Sequence, residues 1–236
     1  MIALGNKVQV VDHPVVQHLI TRLRDYQTQS PDFRRYSITL SQYLVYEAAR
    51  QMAVRELSVE TPVGQAKGSA LTDYVILAPV LRAGLVMAEA AQKMLPAARI
   101  YHVGLKRDEE TLEAVSYYAK LPDSLPPDSR IIVLDPMLAT GGSAAAAIDL
   151  FAKLNVGEIQ LVSFVAAPEG IKRVHAQFPN VHITTASVDS NLNDRGYIVP
   201  EFFPPAGLQP ANVNRDIKLI GAGLYQRGSL GYPPAG

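Results

Sequence analysis

The stretch Arg130-Ile-Ile-Val-Leu-Asp135-Pro-Met-Leu-Ala-Thr140-Gly141-Gly142-Ser143 decides the fold. Its apolar run from Ile131 to Leu134 reads as a buried strand, Asp135 ends that strand, and a Thr-Gly-Gly-Ser turn leads into an alanine-rich helix. A strand that passes through a tight turn into a helix is half of the β–α unit from which parallel sheets are built. The turn also has the composition of an anion cradle. Glycines let backbone N–H groups approach a phosphate, the Thr140 and Ser143 hydroxyls add donors, and the helix N-terminus supplies partial positive charge. Asp135 repels phosphate but suits vicinal sugar hydroxyls, so the implied ligand is a sugar phosphate. A purely structural reading stands beside this one, with Ser143 or Thr140 as the N-cap of the helix. The spacing matches neither the Walker A nor the dinucleotide fingerprint.

The same rhythm recurs on both sides. Tyr74 to Ala78 precedes a helical run from Leu85 to Leu95, Arg99-Ile-Tyr-His-Val-Gly follows, and Ile159 to Val165 precedes a helical run from Gly170 to Phe178. This predicts an α/β core over about 72–190, a mainly parallel sheet flanked by helices. Ligands of such sheets lie beyond the carboxyl ends of the strands, which directs attention to the loops after Ala78, Leu134, Val165 and Val188. Upstream, residues 12–52 carry helical periodicity, and Glu60-Thr-Pro-Val-Gly-Gln-Ala-Lys-Gly predicts a hairpin arm over about 57–71. Downstream, residues 191–236 form a C-terminal segment whose last 37 residues hold six Pro and six Gly, too many for a further β–α unit.

Two other segments carry charge where chemistry is expected. The strand from Tyr74 ends in Arg82-Ala83-Gly84, offering a guanidinium and backbone amides suited to a bidentate anion. His102 to Lys120 is polar and long enough for a flap, on which Lys106 and Arg107 are placed to close over a polyanion. The plain alternatives are a surface arginine in a helix-initiating turn and a solvated hairpin. His13, His18, His102, His175 and His182 lack metal-ligand spacing and read as structural, and Tyr43 and Tyr46 with Leu40 and Leu44 read as core or subunit interface.

Composition narrows the classes. The 236 residues carry 22 basic and 22 acidic side chains and no cysteine, which removes disulfides, thiolate metal sites and thiol nucleophiles. Zero net charge gives no electrostatic case for nucleic acid. Every apolar run is broken by charge or proline before a membrane span is reached, and no targeting segment is evident, so a cytoplasmic protein with no membrane partner is expected.

Together these motifs resemble one family, the uracil phosphoribosyltransferases of the type I phosphoribosyltransferase fold. The resemblance rests on Asp135-Pro-Met-Leu-Ala-Thr-Gly-Gly-Ser143, on the His-Pro-Val-Val-Gln-His start at His13 and on Leu81-Arg-Ala-Gly-Leu85. It rests also on Tyr117-Tyr-Ala-Lys-Leu-Pro122, Val165-Ala-Ala-Pro-Glu-Gly170 and Gly196-Tyr-Ile-Val-Pro200. It implies a single domain over 1–236 with a β-arm and a divergent C-terminal hood. It also implies pyrimidine salvage: pentosyl transfer from 5-phosphoribosyl 1-diphosphate (PRPP) to uracil, giving uridine 5′-monophosphate and diphosphate with Mg2+. By the same resemblance Thr140, Gly141, Gly142 and Ser143 cradle the 5′-phosphate, and Pro136, Met137, Leu138 and Ala139 complete the PRPP loop. Asp135 holds the ribose hydroxyls, Arg82 with the Ala83 and Gly84 amides takes the diphosphate, and Arg107 completes the clamp. Tyr197 and Ile198 face uracil. Magnesium is held by PRPP rather than by a protein cluster, and a homodimer is implied, with guanosine triphosphate as an effector of some members.

The sequence departs from the family after Pro200, where a Gly-Asp-Ala step usually helps to recognise the base. Here the chain runs Glu201-Phe-Phe-Pro-Pro, and Asp216, farther on, is a candidate replacement for the missing Asp. Two other outcomes stay open at this point. One is a weakly catalytic relative that binds PRPP or a nucleotide as a regulator, the other a phosphoribosyltransferase for another pyrimidine.

Overall fold

The computed structural model describes residues 6–107, 114–194 and 196–199. A short strand β1 (Val8–Val10) leads into helices α1 (Pro14–Arg24) and α2 (Ser30–Ala48), and a hairpin of β2 (Val54–Thr61) and β3 (Gly64–Leu71) follows. The core then runs β4 (Tyr74–Leu81), α3 (Leu85–Met94), β5 (Arg99–Ile100), β6 (Val103–Arg107), β7 (Ala114–Ala119), β8 (Ser129–Leu134) and β9 (Met137–Leu138). It continues with α4 (Gly142–Ala152), β10 (Glu158–Ala166), α5 (Pro168–Gln177) and β11 (His182–Val188), and β12 (Asn191–Leu192) and β13 (Ile198–Val199) close the described chain.

The main sheet has the order β1-β11-β10-β8-β4-β6-β7, with β5 on β4 and β9 on β10. Every pairing is parallel except that of β7 with β6. Central strands of such a sheet are buried on both faces, which is why β8 reads as an unbroken apolar run. Its side chains nevertheless alternate. Ile132 and Leu134 join Leu23, Leu40, Leu44 and Met87 under α1, α2 and α3, whereas Ile131 and Val133 join Ile148, Phe151 and Val174 under α4 and α5. The result is a helix–sheet–helix sandwich, and the β–α reading of the core holds.

Three local features differ from the sequence pattern, each for an identifiable reason. The helical region 12–52 is two helices because the Asp25 carboxylate accepts from the Gln27 N–H at 2.9 Å, an Asx turn that competes with helix, and Pro31 then sits in the first turn of α2. The hairpin starts at Val54, earlier than the pattern suggests, and β2 and β3 pair only with each other. Its two strands lie mostly in solvent and so lack the apolar alternation that marks a strand end. The edge strand β1 is only three residues long, too short to show a period. On α2, Leu40 and Leu44 are fully buried while Tyr43 and Tyr46 point outward, so these four side chains divide between core and surface.

Candidate active site

The polypeptide from Asp135 to Ser143 is built in two parts. The first is stitched to β10: Phe164 and Val165 donate to the Pro136 carbonyl at 2.9 and 3.2 Å, and Ala167 donates to Leu138 at 2.8 Å. Pro136 and Leu138 are buried, Met137 and Ala139 pack against the core, and all four therefore fix the loop through backbone and packing. The second part turns away. Gly141 is the N-cap of α4 with φ of +78°, and among the described residues no side chain caps the helix, so neither Thr140 nor Ser143 serves as the capping residue. The N–H groups of Thr140, Gly141, Gly142 and Ser143 have no acceptor among the described residues, whereas the Gly141 carbonyl already receives the first helical bond, from Ala145 at 2.9 Å. Four adjacent donors at the positive end of a helix are the arrangement a bound anion requires, which makes the turn a candidate anion site.

Glycine at 141 answers two demands. Its left-handed backbone disfavours side chains, and a Cβ there would lie 2.7 Å from the Gly170 carbonyl oxygen at the start of α5. Gly170 is equally constrained, since its own Cβ would meet the Ala139 oxygen at 2.5 Å. The turn after β4 is fitted to the same edge. A Cβ on Gly84 would lie 2.3 Å from the Leu134 carbonyl, so this turn abuts the end of β8 immediately before Asp135. The Gly84 N–H donates to the Val80 carbonyl at 2.8 Å and is not open to a ligand in this conformation. Gly84 thus permits close packing, and the donors that face outward here belong to Arg82, which is exposed, and to the Ala83 N–H, which has no acceptor among the described residues. The Leu81–Arg82 peptide bond is cis.

The third wall is the small hairpin of β12 and β13. Asn193 closes it: its side-chain oxygen accepts from the Tyr197 N–H at 3.0 Å, its N–H donates to the Tyr197 carbonyl at 2.8 Å, and its carbonyl accepts from Gly196 at 2.8 Å. Tyr197 therefore spends both backbone groups inside the hairpin, and the Ile198 side chain is buried in the core. Gly196, with φ of +77°, places its Cα against Thr140, whose methyl group would be 3.3 Å from a Cβ. The Gly-Tyr-Ile segment and the Thr-Gly-Gly-Ser turn are thereby in direct contact. Of the segment read as a flap, His102 to Lys120, the described parts are the antiparallel strands β6 and β7, whereas residues 108–113, the side chains of Lys106 and Arg107, and Pro200 with everything after it, Asp216 included, lie outside the described residues.

A family model described as uracil phosphoribosyltransferase matches residues 10–202. The chain belongs to that family. A uracil phosphoribosyltransferase of Dictyoglomus thermophilum is 48% identical over 195 residues, covering 82% of this chain and 93% of that protein. Among solved structures, the AQ2163 protein from Aquifex aeolicus is 36% identical with a TM-score of 0.78, covering 83% of this chain and 94% of the other. An adenine phosphoribosyl transferase from Trypanosoma brucei, in complex with AMP, pyrophosphate and ribose-5-phosphate, shares the fold at 10% identity with a TM-score of 0.52, covering 90% of this chain and 97% of that one. The fold is accordingly that of the type I phosphoribosyltransferases.

Within this uracil phosphoribosyltransferase fold, the carboxyl edge of the sheet gathers the three segments singled out in the sequence. Among the described residues, no group of three His, Asp or Glu side chains is placed to hold a metal ion. Asp135, half-buried at the end of β8 with the Met137 N–H 3.5 Å from its Oδ1, is the carboxylate nearest the turn in sequence. Sequence reasoning gave no role to Asn193, to Gly170 or to Arg173 on α5. For Gly170 the signal was present in Val165-Ala-Ala-Pro-Glu-Gly170, whereas Asn193 sits in a polar Asn-Leu-Asn-Asp run that any loop could carry. Of the histidines, His13 accepts from the Val15 N–H at 3.2 Å as the N-cap of α1. His175 lies 3.0 Å from the Val181 carbonyl, and His182 lies 2.9 Å from the Lys7 ammonium. These three have structural partners. Among the described residues no helix is long and apolar enough to cross a membrane.

Proposed function

We propose that the chain transfers the phosphoribosyl group of PRPP to N1 of uracil, forming uridine 5′-monophosphate and diphosphate, as a pyrimidine salvage enzyme of the cytoplasm. The observation that carries this reading is the uncapped turn at Thr140–Ser143, with its four open N–H groups, touching the Gly196–Ile198 hairpin. An anion held at the turn and a base held at the hairpin would be adjacent, which is the geometry of a nucleoside monophosphate. In the reaction the bond from C1′ to the diphosphate oxygen breaks, the N1–C1′ bond forms, and the N1 proton is released. Positive charge builds on the ribose ring and negative charge on the departing diphosphate, so the protein must position the reactants and stabilise a leaving anion.

The roles that go with this proposal are those the resemblance implies. Thr140, Gly141, Gly142 and Ser143 hold the 5′-phosphate, and the chain from Pro136 to Ala139 fixes the turn. Asp135 accepts hydrogen bonds from the ribose hydroxyls. Arg82 and the Ala83 N–H receive the diphosphate, Arg107 approaches it from the flap, and the Ile198 backbone presents hydrogen-bonding groups to uracil. Magnesium, when bound, neutralises the diphosphate as it leaves. The ion would be carried in mainly on PRPP oxygens, with Asp135 beside the ribose. A homodimer agrees with the exposed patch of Val15, Tyr43 and Tyr46 beside a hollow of about 360 Å³ that Met94 and Val16 help to line.

The test is to incubate the protein with magnesium, PRPP and, separately, uracil, cytosine, thymine, hypoxanthine or no base, and to quantify nucleotide and diphosphate chromatographically. Uridine monophosphate from uracil alone is expected. Nucleotide from a different pyrimidine would support a second reading, favoured by one observation: the family match stops at residue 202, just inside the altered segment that follows Pro200. PRPP binding with no nucleotide from any base would defeat the catalytic reading.

A further inference from the structure

Arg173 lies on the face of α5 that packs against the turn at Thr140–Ser143. A Cβ on Gly141 would be 3.3 Å from the Arg173 Cβ, and one on Gly142 would be 3.5 to 3.8 Å from Nη1, Cζ and Nη2. The side chain therefore runs along both glycines, with its guanidinium beside the first residue of α4. Gly142 has no left-handed φ and no backbone atom crowding it, so neither conformation nor packing demands glycine there. A Cβ at 142 would only touch the guanidinium at ordinary van der Waals distance, so the guanidinium lies beside the loop backbone whether or not a methyl group stands there.

The electrostatics of this position are unfavourable for the protein alone. The N-terminal end of a helix is positive and repels a cation. Arg173 has no ion pair among the described residues, although Glu169 precedes it by one turn on the same helix, and its charge faces solvent next to four open N–H donors. A guanidinium set beside unpaired donors at a helix N-terminus is stabilised by an anion that all of them share. We propose that Arg173 is a further phosphate-binding side chain of this site, adding a charge to the 5′-phosphate of PRPP from the α5 side. This rests on the assignment of the Thr140–Ser143 turn to that phosphate.

The experiment compares wild type with Arg173→Gln, which keeps most of the stem, and Arg173→Lys, which keeps the charge. Arg173→Gln is expected to raise KM for PRPP roughly tenfold, the scale of one charged hydrogen bond, with KM for uracil unchanged and kcat within about twofold. Arg173→Lys should retain most of the affinity. Inhibition by ribose 5-phosphate should weaken in parallel with KM for PRPP, while inhibition by diphosphate should not, because only the former carries the phosphate in question. An unchanged KM for PRPP in Arg173→Gln, equal losses in the Gln and Lys variants, or an equal weakening of diphosphate would overturn the proposal. If wild type makes no nucleotide, the activity itself fails. Calorimetric binding of ribose 5-phosphate to wild type and to Arg173→Gln then still decides the role of Arg173, equal affinities refuting it and a weaker variant upholding it.

Discussion

Gly141 and Gly142 are adjacent and chemically identical, yet the structure asks different things of them. Gly141 has a φ of +78° and a backbone oxygen 2.7 Å from its Cβ position, whereas Gly142 has ordinary backbone and meets only the end of a flexible arginine at 3.5 Å or more. An alanine at 141 must pay the left-handed penalty of about 1 kcal/mol and also push Gly170 away, so Gly141→Ala is expected to lower the thermal midpoint and to raise KM for PRPP more than tenfold. Gly142→Ala places a better helix former in the first turn of α4 and should leave the midpoint unchanged or raise it. A differential scanning fluorimetry trace in which both variants melt alike would show that the two glycines are not distinguished in this way. Sequence alone marks Thr-Gly-Gly-Ser as an anion turn but not which glycine bears the strain, because that depends on a contact with Gly170, nearly thirty residues downstream. His182 offers a second test at this scale. Burial, then the adjacent Lys7, hold its imidazole below the ordinary histidine value of 6.5, with Arg130 and His175 acting in the same direction and Glu158 opposing. The unfolded chain therefore binds the extra proton first as pH falls below about 6.5, and stability declines from there down to the folded value. Urea midpoints measured from pH 7.5 to 5 should fall, with a shallower slope in His182→Gln, where this proton uptake is gone.

At the level of elements, the hairpin of β12 and β13 matters beyond its size. It is only two residues on each strand, so its conformation depends on the turn rather than on the ladder, and Asn193 makes three of the bonds that close that turn. Replacing the side chain in Asn193→Ala frees the Tyr197 N–H while leaving both backbone bonds in place. The expected result is a rise in KM for uracil of about fivefold, the equivalent of one net hydrogen bond, with a smaller change in KM for PRPP. Steady-state titration of each substrate against saturating partner separates the two, and an effect confined to PRPP would mean that the hairpin serves the phosphate turn alone. Long elements such as α2, β4 and β10 were legible because hydrophobic periodicity accumulates over many residues. The short strands β1, β9, β12 and β13 were not, since two or three residues carry no period and are set by what they pair with. The Thr140–Ser143 turn could be read as a candidate anion site because its chemistry is local. The closure of the β12–β13 hairpin could not, because Asn193 is ordinary loop sequence until its partners are known.

Across the whole molecule the two ends of the sheet do different work. The carboxyl edge leaves donors open at Thr140–Ser143, whereas at the amino edge the Arg130 guanidinium is held by partners within the protein. Arg130, at the start of β8, is nearly buried and binds three segments at once: Nε donates to Asp73 at 2.7 Å, Nη1 pairs with Glu158 at 2.7 Å, and Nη2 donates to the Gln51 carbonyl at 3.3 Å. These partners come from the loop before β4, from the first residue of β10 and from the turn after α2, so one guanidinium ties the two strands flanking β8 to the helical layer. The strand order that makes this possible, β4 beside β8 beside β10, places distant stretches together and could not be read from any one of them. In the sequence Arg130 is simply the residue that opens the decisive strand. Arg130→Ala leaves Asp73 and Glu158 without their shared cation, and breaking a buried pair in this way costs about 3–5 kcal/mol. Because the substitution lies at the opposite end of the sheet from the turn, the denaturant midpoint should fall steeply while KM for PRPP and for uracil, measured on the folded fraction, stay at wild-type values. A change in either KM would mean that strain at the amino edge reaches the phosphate turn through β8, and the two edges would then have to be treated as one mechanical unit.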